Sequence, residues 1–364
     1  MGVKGLNSFI QYICNKSAVT DAFIEKPFTD YKYKKITIDI LHKIFTHSIA
    51  IRNTGSDKLS KSGKVINHYI AIYNCCQFYI SKKIIPIFVF DGGVPEIKLQ
   101  KIKERYDKKK KANIKTNSIS DKSSEEYIKH FKRTYSITNK HILECKEFIK
   151  ACGFPCIDSY GEAESQCVAM SHESSLNING IITEDIDSVV FGAPIILKNF
   201  SKKNNMVTQV SYSHIRDAFL IEANKIRVEF NQPLLSSFTT SNFIDFVSMF
   251  ETDYFVGFRP SYFNNLFRLF IQNDMDVILL LNQLTTHNKN MFIPKNFINN
   301  WNKVKTYFTC AEVYSPCELD TNCKNPQVNI ISNILLNICD FDQYIVENFI
   351  NNLHTYYCEI LNVK

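Results

Sequence analysis

The 364 residues contain no internal repeat, no run apolar and long enough to cross a membrane, and no amino-terminal stretch patterned as a secretory signal. The expectation is a chain whose thiols stay reduced, in a cytosolic or nuclear setting. Paired metal-ligand spacing is also missing from its twelve cysteines: Cys75 and Cys76 are adjacent, while Cys310, Cys317 and Cys323 have neither a CxxC nor a nearby histidine pair. A structural zinc among those three is the minor reading. The histidines, His130 and His141 among them, show no ligand or triad spacing and read as surface or satisfied residues. Charge excess is absent from most of the chain. Nine basic side chains against two acidic ones lie between Lys98 and Lys115, which equals the whole net charge of +7. A polyanion-binding element in one place, rather than a basic surface, is implied.

What is present is a large apolar complement, 45% of residues with 28 Phe, enough to bury one large or two medium cores. Apolar spacing predicts helices over 7–12, 41–52 and 66–82, and strands over 35–39 and 84–90. Strands alternating with helices predict an α/β fold with a central, mostly parallel sheet flanked by helices. A charged helix follows Pro95, and residues 112–122, rich in Ser, Asn, Thr and Lys, read as a mobile connection. Helix 138–152 stops at Gly153, short strands follow at 154–157, 180–183 and 194–197, and residues 162–172 are helical. From Ser241 helices dominate, with a last one over 328–357 broken near Cys339.

Seven carboxylates stand where strands end or tight turns follow: Asp39, Asp91, Glu162, Glu164, Asp185, Asp187 and Asp253. Carboxylates at the carboxyl ends of parallel strands converge on the crevice where α/β proteins bind ligands. So many like charges raise one another's pKa unless cations neutralise them. Hard oxygen donors select Mg²⁺ or a similar ion, which points to metal-assisted phosphodiester chemistry. Asp185 and Asp187, two apart on an extended segment, face one side. Glu162 and Glu164 would diverge within a helix, so they are placed at its start, where the positive end of the dipole lies. Solvated surface acids are the alternative for any one pair taken alone.

The ordered set of motifs resembles the flap endonuclease (XPG/RAD2) family of structure-specific 5′ nucleases. It comprises Met1-Gly2-Val3-Lys4-Gly5-Leu6, Ile38-Asp39, Val89-Phe90-Asp91-Gly92, Glu162-Ala163-Glu164, Thr183-Glu184-Asp185-Ile186-Asp187 and Thr252-Asp253-Tyr254, spread over residues 1 to about 315. The resemblance implies a PIN-like sheet with a helical arch and a helical carboxyl-terminal part. It divides the chain into a nuclease region over 1–95, a basic arch over 96–137, a second nuclease region over 138–253, a duplex-binding region over 254–316 and a helical extension over 317–364. It implies hydrolysis of DNA at 5′ flaps or duplex junctions in replication, repair or recombination, with 5′→3′ exonuclease activity as a companion. Asp39, Asp91, Glu162 and Glu164 hold a first Mg²⁺, and Asp185, Asp187 and Asp253 complete a second, with Mn²⁺ able to substitute.

Lys98 and Arg105, seven apart, match the family's basic pair that stabilises the scissile phosphate. Lys101 and Lys108 on the same element contact the DNA backbone. Phe45 matches a stacking platform for a base, Arg52 a phosphate contact, and Gly2 becomes a small amino terminus close to the phosphate once the initiator Met is removed. The family's glycine-rich helix–two-turn–helix is degenerate here. Val256-Gly257-Phe258-Arg259-Pro260-Ser261-Tyr262 keeps Gly257 and Arg259 as phosphate contacts, but its single glycine puts the K⁺ site in question. Such departures fit a divergent branch, as in large DNA viruses. Residues 343–350 loosely follow a sliding-clamp peptide without its final aromatic. A monomer acting where DNA is synthesised, in nucleus or cytoplasm, is expected. The other readings are a DNA-binding scaffold whose catalysis has decayed and a PIN-type RNA nuclease.

Overall fold

The computed structural model describes residues 2–201, 204–252, 255–287 and 293–362. In chain order the strands are β1 (Phe23–Pro27), β2 (Lys35–Asp39), β3 (Ile85–Phe90), β4 (Cys156–Asp158), β5 (Ile178–Ile182), β6 (Ile195–Ser201) and β7 (Met206–Ser211). The first helices are α1 (Leu6–Lys16), α2 (Ile40–Ile51), α3 (Asn67–Lys82), α4 (Leu99–Ser118), α5 (Glu125–Thr134), α6 (Asn139–Ala151), α7 (Ala163–His172) and the single turn α8 (Asp187–Val190). Then come α9 (Tyr212–Glu229), α10 (Thr240–Val247), α11 (Phe263–Gln272), α12 (Val277–His287), α13 (Phe297–Thr309), α14 (Val328–Ser332) and α15 (Gln343–Asn362). The strand order β1-β7-β6-β5-β2-β3-β4 makes a mixed sheet with helical flanks. The expected α/β class is present.

Two compact units divide the chain: residues 1–27, 95–98 and 180–313 form the first, and residues 28–94, 99–179 and 314–364 the second. In the second unit β2, β3 and β4 pair in parallel, with Asp39 opposite Val89 and Phe88 opposite Cys156. Unbroken apolar runs suit strands buried on both faces, and β3 is buried from Pro86 to Phe90. Helix α6 begins where Thr138 caps the His141 amide and ends before Gly153, whose φ of +83° a side chain tolerates poorly.

Several expectations are corrected in this unit. The stretch from Ala112 is no mobile connection: α4 continues to Ser118, with Ala112 buried and the Thr116 hydroxyl donating back to the Ala112 carbonyl. Packing of α4 along α5, rather than composition, sustains the helix there. Residues 343–350, which loosely follow a clamp peptide, lie in α15, where Val346 and Phe349 are buried and Phe349 packs near Tyr73 and Phe148 rather than being presented to a partner. The break before α15 falls at Cys339, as the sequence pattern indicated.

In the first unit β5 and β6 pair in parallel, whereas β6-β7 and β7-β1 are antiparallel. That flank, with β1, β7 and the long helix α9, was not visible in the sequence pattern. Its core is aromatic. Phe9 of α1 has the rings of Phe219, Phe246, Phe250, Phe263 and Phe267 within 6.3 Å, from α9, α10, the chain just after α10, and α11. Truncating such a ring costs about 3–5 kcal/mol, so Phe9 anchors α1 in this core. All twelve cysteines are free thiols.

Candidate active site

Four of the seven acids belong to the second unit. Asp39 is the last residue of β2 and directly precedes α2; Asp91 immediately follows β3. Glu162 is extended (φ −83°, ψ 143°) at the N-cap of α7, and Glu164 lies in its first turn. This is the arrangement inferred for the Glu pair, and it has a physical origin. An extended residue followed by a helical one escapes the divergence of two positions inside a helix. The Asp91 carboxylate accepts the Ala163 amide at 2.8 Å, one of the amides at the positive start of α7.

Two loops are laced together beneath these acids. The Gly92 amide donates to Gly161 (2.8 Å) and the Gly93 amide to Tyr160 (2.8 Å), while the Ser159 amide donates to the Phe90 carbonyl (2.9 Å). The buried Ser159 hydroxyl accepts from Gly92 (3.0 Å) and lies 2.6 Å from the Gly161 carbonyl and 2.9 Å from that of Phe90. A Cβ at Gly92 would stand 1.9 Å from the Ser159 carbonyl oxygen, so only glycine permits the lacing. Cys167, one turn up α7, shows how closely the acids gather. Burial drives its thiol pKa well above the usual value, Thr37 opposes by a hydrogen bond, and the charges of Asp39, Glu164 and Asp91 all push it further up. This thiol is neutral and inert.

Two further acids belong to the first unit. Asp187 opens α8, is 3% exposed, and accepts the Val3 amide at 3.0 and 3.2 Å. Asp185 accepts the Asp187 amide at 3.2 Å, and its own amide donates to the Thr183 hydroxyl at 3.1 Å. Burial and then the Asp185 charge push the Asp187 carboxyl well above the carboxylate range, opposed by the Val3 hydrogen bond and the Lys98 charge. Gly2 rests directly on that carboxylate: at φ +121°, a Cβ there would meet Asp187 Oδ2 at 1.9 Å. Asp253 lies outside the described residues.

Nothing in the sequence pattern singled out Asn7, Ser159 or Lys198, and Val3 stood only within the amino-terminal motif with no role of its own. Lys198 of β6 is 8% exposed and donates to Asn7 Oδ1 at 3.2 Å. Burial lowers its pKa, against the opposing charges of Glu184 and Asp185. It lines a cavity of about 410 Å³ with residues 2–8 and 184–186. A buried lysine in a strand of ordinary composition carries no local signal, because its role depends on what the fold brings near it.

The basic residues divide. Lys98 ends a 3₁₀ turn (Glu96–Lys98) rather than lying on α4, and its Nζ lies 5.9 Å from the Tyr307 ring centre. Arg105 and Lys108 are exposed on α4, and Lys101 pairs with Glu104 at 3.5 Å. Phe45 is 40% exposed on α2, not a core residue, with its ring 5.9 Å from that of Tyr135.

Two contacts expected for phosphate are corrected. Arg52 is 8% exposed and gives four of its five N–H bonds to protein: two to Asp57 at 2.6 and 2.8 Å, one to the Phe131 carbonyl, one to Thr134. Gly257 is buried, and a Cβ there would stand 2.4 Å from the Phe250 backbone. It is needed where the Phe250–Phe258 bridge closes the turn, with Phe258 donating to Met249 and Glu251 donating to Phe258. Arg259 is exposed. Glu251 pairs with Lys4, and the Lys4 amide donates to its carbonyl, which settles that acid as a partner of the amino-terminal segment.

The donor set is all oxygen, and its crowding suits hard cations: a buried Asp187 beside Asp185, and Asp39, Asp91 and Glu164 gathered around one thiol. Among the described residues no three His, Cys, Asp or Glu side chains already close on one ion position. The all-oxygen chemistry of these side chains, not a finished cage, is what fits a divalent ion.

Two family models match the chain, one described as the XPG N-terminal domain over residues 1–112 and one as the XPG I-region over residues 153–253; together they take in more than half of it. Flap endonuclease 1 of Glycine max is 29% identical over 256 residues, 70% of this chain and 62% of that protein. Flap endonuclease 1 of Cryptosporidium parvum is 30% identical over 226 residues, 61% of this chain and 45% of its own length. The matched part thus spans roughly half to three fifths of these curated relatives. Among solved structures, the catalytic core of Rad2 in complex with DNA substrate superposes with a TM-score of 0.64 at 17% identity, covering 97% of this chain and all of that one. Flap endonuclease-1 from Methanococcus jannaschii gives 0.63 at 20% identity, covering 95% and 99%. At these identities the structural likeness concerns the fold alone.

Proposed function

We propose, from the premise that this chain belongs to the XPG/RAD2 family of nucleases, that it is a metal-dependent, structure-specific 5′ nuclease cutting DNA at 5′ flaps or duplex junctions. The observation that carries the reading is the crowding of carboxylates at strand ends and helix starts, with a buried Asp187 whose ionisation is opposed by Asp185. A protein with no need of cations gains nothing from that arrangement. Asp39, Asp91, Glu162 and Glu164 would hold one divalent ion and Asp185, Asp187 and Asp253 a second, Mg²⁺ or Mn²⁺. Bound there, such ions lower the pKa of an attacking water and offset charge on the leaving oxygen.

The chain's own groups do the rest. Lys98 and Arg105 supply positive charge to the phosphate being cut. Phe45, exposed on α2, offers a face on which the base beside the cut can stack. Lys101, Lys108 and the rest of α4 attract the strand backbone, and Arg259 reaches duplex phosphate, with residues 254–316 as the duplex-binding region. Gly2, seated on Asp187, would present a small amino terminus to the reacting phosphate. The buried Gly257 gives no support to a K⁺ site. Replication, repair or recombination at the site of DNA synthesis, nuclear or cytoplasmic, is the process such an activity serves.

The test is a panel of end-labelled 5′-flap, nicked, blunt-ended and RNA substrates with the full chain in Mg²⁺ and in EDTA. Cleavage at the flap junction, abolished by EDTA, is expected. Stepwise shortening of blunt ends instead would make it a 5′→3′ exonuclease. Preference for RNA, or DNA binding without cleavage in any metal, overturns the proposal in favour of an RNA nuclease or a decayed scaffold.

A further inference from the structure

Arg52 is conspicuous because a guanidinium expected to meet phosphate is spent inside the protein. It sits where α2 ends, in a 3₁₀ turn over Arg52–Thr54. Its Nε and one terminal nitrogen clasp both oxygens of Asp57, and its other terminal nitrogen reaches the Phe131 carbonyl (2.8 Å) and the Thr134 hydroxyl (2.9 Å) of α5. The guanidinium plane also lies 4.1 Å from the Phe131 ring centre and 4.9 Å from that of Tyr135. Asp57 is itself fixed, accepting the Asn67 amide group at 2.6 Å.

Neighbouring bonds tie the same two elements. Tyr135 donates to Ser48 of α2 at 3.0 Å, and Lys132 of α5 donates to Asn53 at 2.8 Å. Gly55, at φ +79°, lets the turn pass the Lys122 carbonyl, which a Cβ would meet at 3.0 Å. Phe45, Ser48 and Arg52 recur at spacings of three and four along α2, so one stripe of that helix carries the exposed Phe45 and the whole joint. Tyr135 touches all three members of that stripe.

We propose that Arg52 is a positioning residue that locks α5, the second limb of the basic helical pair, onto the helix bearing Phe45, and so sets the chain's readiness to accept a 5′ single strand. The inference rests on the nuclease reading for its substrate, but not for the joint itself. Arginine is required: only a planar fork can clasp Asp57 with two parallel bonds and stack on Phe131 together, which a lysine cannot do. Once the joint opens, α5 loses its anchor on α2, and binding a flap must first reorder it.

The experiment compares Arg52→Ala, Arg52→Lys and Asp57→Asn in the full chain. Amide hydrogen exchange over residues 125–135 is followed in the free protein, and KM and kcat are measured on a 5′-flap DNA and on a nicked duplex with no flap. All three variants should exchange about tenfold faster over 125–135 and raise the flap KM about tenfold, with kcat and the nicked-duplex parameters within about twofold. Asp57→Asn is decisive, because it opens the joint while leaving the cation in place. If Arg52 contacts phosphate instead, Asp57→Asn binds DNA as well as or better than the parent, both substrates weaken equally in Arg52→Ala, and exchange is unchanged. Any of those results overturns the proposal. Should Arg52→Ala fail to fold, Tyr135→Phe, which removes only the hydroxyl bonded to Ser48, must still shift exchange and flap KM in the same direction. If the parent protein cuts neither substrate, the nuclease reading fails on its own. The exchange data then decide the joint by themselves: faster exchange supports it and unchanged exchange ends it.

Discussion

The acids of the second unit and those of the first are held in different ways. Asp39, Asp91, Glu162 and Glu164 stand at strand ends and a helix start, positioned by their own elements and by two short loops laced backbone to backbone. Asp187 is buried beneath the amino-terminal segment, its carboxylate gripped by an amide 184 residues away and covered by a glycine that admits no side chain. The lesson is that one half of an acidic set can stand on strand ends and a helix start tied by backbone bonds between two loops, while the other depends on closure by a segment 184 residues away. The first should tolerate loss of a single hydroxyl beside it, whereas the second should not tolerate added bulk at Gly2.

Substitutions can break that comparison outright or sharpen it. Removing a carboxylate has the largest expected effect: Asp185→Ala and Asp91→Ala should each lower cleavage by at least about a thousandfold, while Kd for a flap DNA stays within about threefold. Unchanged turnover in either would remove its unit's acids from the chemistry. Gly2→Ala comes next. Its Cβ collides with Asp187 Oδ2, and a displacement of about an ångström at a reacting centre costs on the order of a hundredfold in kcat. A normal rate in single-turnover assays would mean that the amino-terminal cover is dispensable.

Ser159→Ala tests the local half. The backbone lacing survives without the hydroxyl, so the Mg²⁺ concentration for half-maximal cleavage should rise about tenfold with little change at saturation. A larger loss than in Gly2→Ala would reverse the contrast drawn here. The smallest effect is on stability. Relief of crowding by Mg²⁺ at about ten times its Kd contributes roughly 1.4 kcal/mol, a rise of a few degrees in Tm. Asp187→Asn should raise the metal-free Tm and shrink the Mg²⁺ response; an undiminished response would place the ion elsewhere.

Much of this was readable from residue patterns. The strand runs ending at Asp39 and Asp91, the helix-start placement of Glu162 and Glu164, and the break at Cys339 follow from periodicity and turn chemistry, which act over a few residues. The antiparallel strands β1 and β7 escaped because Phe23-Ile24-Glu25-Lys26-Pro27 is short and carries a proline; such a segment becomes a strand only beside a partner, here residues 206–210. The continuation of α4 past Ala112 escaped for the converse reason, since polar composition hid a single buried contact.

Residue type and order by themselves determined the chemistry on offer: a hard-oxygen set, one concentrated basic segment, and twelve cysteines without paired metal-ligand spacing. Those are properties of side chains that survive in any conformation. Which cation is spent and which is available was decided only by the folded chain. Arg52 and Gly257 look like ligands for phosphate in the sequence, yet one is consumed by Asp57, Phe131 and Thr134 and the other is closed against the Phe250 backbone. Ser159 and Lys198 have no distinguishing pattern and nevertheless border the acids. A hydrogen bond between residues far apart in the chain exists only after the intervening segments have packed, and no local pattern encodes it.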